Sequence, residues 1–91
     1  MEYQEITNLY RRIGRDFRGF GADKVQLLKS KKLQEGPYEM EMTIVVSGCS
    51  TAEAMRTYAQ KKWSNIKMDI WLEQDLMMSC REELIEDGIL L

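Results

Sequence analysis

Histidine, the side chain that titrates nearest neutrality and the commonest metal ligand, is absent from this chain. Nucleophile systems that need a histidine base, and mixed Cys/His zinc sites, are therefore excluded. Cys49 and Cys80 have no third or fourth thiol beside them, so no structural zinc site can be drawn. Cys49 stands in a Gly-Cys-Ser turn ahead of an expected helix, where the dipole would lower a thiol pKa, but no base accompanies it. Glu82, Glu83, Glu86 and Asp87 are dense enough for cation binding, yet their positions read better as a solvated helix face. Gly19-Phe20-Gly21-Ala22-Asp23-Lys24 lacks P-loop spacing and follows a helix where a phosphate loop follows a strand. No catalytic activity, cofactor or metal is expected.

Three features could bind something. Arg11, Arg12, Arg15 and Arg18 gather on the solvent side of an amphipathic first helix, and guanidinium forks suit phosphates. The bland alternative is a solvated face balanced by the rest of the domain. The second feature is a hairpin on which Lys29 and Lys31 are expected opposite Met42 and Met40, beside Tyr38 and Leu33. Adaptable methionines, lysine stems and a tyrosine make a protein-docking surface; otherwise the lysines merely snorkel at a core edge. The third is Trp71, which shares a nominally polar strand face with Lys67, Asp69 and Glu73. An exposed tryptophan anchors interfaces, whereas a covered one packs under the C-terminal segment.

The elements that position these residues follow from periodicity. Ile6, Leu9, Tyr10, Ile13 and Phe17 fall within an arc of about 100°, which predicts a helix from Glu2 to about Phe17, stopped by Gly19 and Gly21. Val25 to Leu33 and Tyr38 to Ser47 read as a hairpin around Gln34-Glu35-Gly36-Pro37. That turn sets Lys32 opposite Glu39, Leu33 opposite Tyr38, Leu27 opposite Ile44 and Val25 opposite Val46. Strands near 30 Å long, at about 3.3 Å per residue, would carry the hairpin beyond the helices. Ser50-x-x-Glu53 reads as a capping box for a helix to about Trp63. Ile66 to Glu73 alternates as a third strand, and a second S-x-x-E opens a short helix from Ser79 to Asp87, stopped at Gly88. Residues 74–78 stay undecided, and Ile89-Leu90-Leu91 reads equally as an edge strand or a packed tail.

The order α-β-β-α-β-α predicts one α+β domain over residues 1–91: an antiparallel sheet of about three strands, packed on one face by two or three helices. This order is similar to that of a ferredoxin-like domain lacking or permuting its first strand; the likeness is of element order alone and implies no function. The chain has 91 residues, is 44% hydrophobic and carries a net charge of −2, which excludes a disordered tail. No apolar run suffices to cross a membrane, MEYQEITNLYRR is not a secretory signal, and two cysteines suit a reducing cytosol. So small a domain buries little, and a homodimer is compatible with that. Residues 1–36 hold eight basic and five acidic side chains, residues 37–91 five and ten. The expected function is a non-enzymatic, protein-binding module docking on a larger partner. An inhibitor of a host nucleic-acid-handling complex, of the kind phages and mobile elements encode, fits because the acidic half could occupy a basic groove. The alternative is direct nucleic-acid or nucleotide binding through the arginine ridge.

Overall fold

The computed structural model describes residues 3–91. The expected helix start at Glu2 lies outside the described residues. Helix α1 spans Tyr3–Gly19 and buries Leu9, Ile13, Gly14 and Phe17. It ends as its glycines predict: Gly21 adopts φ +105° and its N–H reaches the Arg18 carbonyl at 3.0 Å. The chain continues through β1 (Lys24–Lys32), β2 (Met40–Ser47), α2 (Glu53–Lys62) and β3 (Ile66–Leu72). A short 3-10 turn (Glu73–Asp75), α3 (Met78–Asp87) and β4 (Ile89–Leu90) complete it.

The α+β class and the element order hold, but the sheet differs from expectation. It is mixed and four-stranded, in the order β3-β2-β1-β4. The β2–β3 pair is parallel, because α2 returns the chain to the same end of the sheet before β3 begins. The C-terminal residues resolve to an edge strand, with Gln26 facing Leu90 and Leu27 facing Ile89. Leu91 then crosses α1: its N–H reaches the Val25 carbonyl at 2.9 Å, and Arg18 Nη1 donates to its carbonyl at 2.7 Å. Gly14 permits this crossing, since a Cβ there would lie 2.6 Å from the Leu91 backbone carbon.

The hairpin register is half as expected. Val25 faces Val46 and Leu27 faces Ile44, but a bulge between Leu27 and Lys29 then shifts the pairing by one residue. Lys29 therefore faces Thr43, Ser30 faces Met42, Lys31 faces Glu41 and Lys32 faces Met40. The Leu33 N–H bonds the Glu39 carbonyl at 2.9 Å, so Lys32 does not face Glu39 and Leu33 does not face Tyr38. Nor does the hairpin end stand free. Glu39 N–H is bonded to the Asn65 carbonyl at 2.8 Å, and Glu5 and Ile6 of α1 line a cleft with Lys32, Leu33, Glu39 and Met40.

Both expected capping boxes fail to form. Ala52, buried, takes the cap position of α2, and Glu53 N–H meets Thr51 Oγ1 at 3.3 Å. Helix α3 starts from Met77 without a side-chain cap. The main core lies between the sheet and helices α1 and α2, around Ile13, Phe17, Val25, Met42, Ile44 and Met55. Phe17 meets Trp63 edge-on, ring centroids 6.0 Å apart. Helices α1 and α2 share this face, as expected, and α3 takes the other. Val45 and Leu84 are buried outside that core, and α3 contacts β1 from the opposite side. Apolar Leu28, Val45 and Trp71, on the nominally polar face, are what α3 covers or flanks.

Candidate functional site

Strand alternation places Lys67, Asp69 and Trp71 on the α3 side of the sheet. Trp71 is 48% exposed there and Met77 is 74% exposed. A groove of about 250 Å³ runs between the sheet and the segment entering α3, lined by Leu28, Trp71, Leu76, Met77 and Cys80. Lys29, Asp75 and Glu83 form its charged rim, with Lys29 Nζ 3.5 Å from Glu83 Oε1. Each wall has a local cause. The bulge adds Leu28 to this face. The turn is closed by Leu76 N–H on the Glu73 carbonyl (3.2 Å) and tied to β2 by the Ser47 hydroxyl, which donates to Glu73 Oε2. Arg81 donates to the carbonyls of Gln74 (3.2 Å) and Leu76 (3.3 Å), holding the connection that presents Leu76 and Met77.

Trp71 also lines a second cleft, of about 320 Å³, on the outer side of β3. Its other walls are Arg56, Ala59 and Gln60 of α2 and Ile66, Met68, Asp69 and Ile70 of β3. Glu53 fixes Arg56 (2.5 Å), and Arg56 donates twice to the Ile70 carbonyl, at 2.7 and 3.2 Å. Arg56 thus covers one acceptor of this edge strand.

Of the residues singled out from the sequence, the structure brings Trp71 and Lys29 together at the first groove. It separates the rest of the hairpin set. Met42 is fully buried (0%) and Met40 nearly so, both on the α1/α2 side; the expected methionine docking surface is core. Tyr10 O–H donates to Ser30 Oγ at 3.3 Å, which marks Ser30 as the residue facing α1 where Lys29 and Lys31 were expected. Lys31 is exposed, and Tyr38 lies in the 33–39 loop, outside β2, and is 39% exposed. Arg11, Arg12, Arg15 and Arg18 are all exposed on α1. Arg18 is engaged with Leu91, and Arg12 lies beside Trp63 and Asn65. The site also uses Leu28, Leu76, Met77 and Arg56, which sequence reasoning missed; the Leu27-Leu28 pair, which breaks alternation, is a signal for Leu28 alone.

The layers also sort charge. Helices α1 and α2 carry seven basic and three acidic side chains, and residues 73–87 carry six acidic and one basic. At the basic layer Asp16 Oδ2 accepts from Lys62 Nζ (2.6 Å) and Tyr58 O–H (2.7 Å). Partial burial pushes the Asp16 carboxyl up, but hydrogen bonds from Lys62 and Tyr58 outweigh it and hold the pKa below its ordinary value. The Asp16 hydrogen bond raises that of Lys62. Ionised Asp16 therefore stabilises the fold above the unfolded carboxylate range near 4, and this contribution is lost as pH falls through the lowered value. Thermal midpoints measured from pH 6 to pH 2 should fall less in Asp16→Asn than in the wild type. An identical acid slope in both would remove Asp16 from the account.

Burial, then the nearby Asp23 carboxylate, pushes the Cys49 thiol above its usual pKa, opposite to what an activated nucleophile needs. Among the described residues, no three metal-ligating side chains converge and no helix is long and apolar enough to cross a membrane. Comparison with protein-family models, curated proteins and solved structures yields no match to this chain.

Proposed function

We propose that this chain is a non-enzymatic protein-binding module whose working surface is the groove between Trp71 and Met77. The observation that carries this reading is a half-exposed tryptophan beside an exposed methionine, over an apolar floor with an acidic flank. Tryptophan at the centre of an apolar patch supplies large contact area at little entropic cost, and charged rims steer the encounter. The six carboxylates of residues 73–87 favour a partner whose apolar knob is ringed by lysine or arginine. Proteins that handle nucleic acid expose such basic surfaces, so inhibition of a nucleic-acid-handling complex is the finer form of this proposal. Two free thiols suit a cytoplasmic setting.

Direct nucleic-acid binding is the second reading, favoured by the seven basic side chains on α1 and α2. It is weakened by the engagement of Arg18 with Leu91 and of Lys62 with Asp16. Capture from the native host, with and without nuclease, separates the two. Recovery of one stoichiometric protein that survives nuclease is expected; recovery of nucleic acid, lost on nuclease treatment, would transfer the function to the arginines.

A further inference from the structure

The two edges of the sheet are unequal. Strand β4 has two residues, whereas β3 presents seven, and among the described residues neither strand nor helix is paired to its outer side. Long open edges recruit further strands unless something blocks them. Backbone direction along β3 is fixed by two bonds. Asn65 C=O points to β2, where it accepts from Glu39 N–H, and Ile70 C=O points outward, to Arg56. Alternation then turns the backbone groups of Ile66, Met68, Ile70 and Leu72 outward and those of Lys67, Asp69 and Trp71 toward β2. Ile66 N–H is engaged with the Trp63 carbonyl (2.9 Å) and Ile70 C=O with Arg56. Both groups of Met68, the N–H of Ile70 and the C=O of Ile66 make no backbone bond among the described residues.

We infer that β3 pairs antiparallel with β3 of a second copy of this chain, Met68 facing Met68 across a two-fold axis. This register uses all four of these free groups. Met68 N–H and C=O exchange two bonds with their copies, and each Ile70 N–H finds the Ile66 C=O of the other chain. In this register Ile66 N–H of each chain also faces the Ile70 C=O of the other, so closure of the two strands displaces their bonds to Trp63 and Arg56. The charges agree. Lys67 of each copy faces Asp69 of the other, twice, in non-hydrogen-bonded positions where side chains approach closest. Among the described residues neither Lys67 nor Asp69 has an ion-pair partner within its own chain. Moving the axis to Asp69 would set Asp69 against Asp69, and moving it to Lys67 would set Lys67 against Lys67. The dimer leaves the Trp71–Met77 groove open and places two such grooves on one sheet face, with Trp71 residues offset along the strands by about 20 Å.

The test is charge reversal on the full chain, read as mass by sedimentation equilibrium over a concentration series. Wild type should dimerise. Asp69→Lys alone and Lys67→Asp alone should each weaken the dimer at least about tenfold, since both symmetric contacts become repulsive. Mixing these two variants should restore a heterodimer, and the double variant Lys67→Asp/Asp69→Lys should dimerise by itself. Both positions are exposed, so circular dichroism should report an unchanged fold. A wild type that stays monomeric up to about 1 mM, leaving the edge to a strand of another protein, overturns the inference. So does a dimer indifferent to either reversal. The groove can fail as a docking site while this dimer stands, and the dimer can fail while the groove binds.

Discussion

Met42→Ala should lower the stability of this domain by about 2–5 kcal/mol, read as a shifted urea midpoint with little change in slope. Met42 is fully buried on β2, in the core cluster with Ile13, Phe17 and Ile44, and alanine would leave a cavity the size of most of its side chain. A loss of that size is a large share of the roughly 5–15 kcal/mol that holds a domain together. On a surface hairpin the same change would cost less than about 0.5 kcal/mol. Lys31→Ala is the control, because Lys31 occupies the outward side of the same hairpin, opposite Glu41, and is exposed. Equal, small effects at both positions would show that Met42 does not lie in the core.

Trp71→Ala should have the largest effect on binding, about 2 kcal/mol or more, or roughly thirtyfold in affinity. Its effect on stability should be smaller, about 1 kcal/mol, because half of the side chain already faces solvent and truncation opens no closed cavity. This split between affinity and stability distinguishes an anchor from a packing residue. The tryptophan lines the groove with Leu28 and Leu76, and Asp75 and Glu83 lie at its rim, so its loss removes the largest apolar side chain of the patch and leaves the rim.

Much of this was legible in the chain. Helix α1, both hairpin strands, β3 and α3 follow from apolar spacing and stop signals, because those rules act within one element. What failed depended on relations between elements. The bulge moved Lys29 and Lys31 off the face that Met40 and Met42 share with Ile44, leaving those methionines to the core, and its trace was the adjacent Leu27-Leu28 pair. The parallel β2–β3 pairing was implied by a helix lying between two strands, a constraint on topology that periodicity does not carry. The second helical layer was signalled by Leu28, Val45 and Trp71 on a face otherwise polar. Taken singly, each is an unremarkable exception; together they require a cover. The capping boxes failed because S-x-x-E fixes a helix start only where the backbone enters at that serine. Here the chain enters α2 at Ala52 and α3 at Met77. The connection carrying Leu76 and Met77 is set by Arg81 and Ser47 from distant positions, which no local pattern shows.

The most direct test of the groove is a calorimetric titration of the captured, nuclease-treated partner with three chains. These are the wild type, Trp71→Ala, and the triple Arg11→Glu/Arg12→Glu/Arg15→Glu, which spares Arg18 and its bond to Leu91. Docking through the groove predicts a roughly thirtyfold loss for Trp71→Ala, near wild-type affinity for the triple variant, and native circular dichroism for both. Wild-type affinity in Trp71→Ala together with lost binding in the triple variant would contradict it and move the docking site to the outer face of α1.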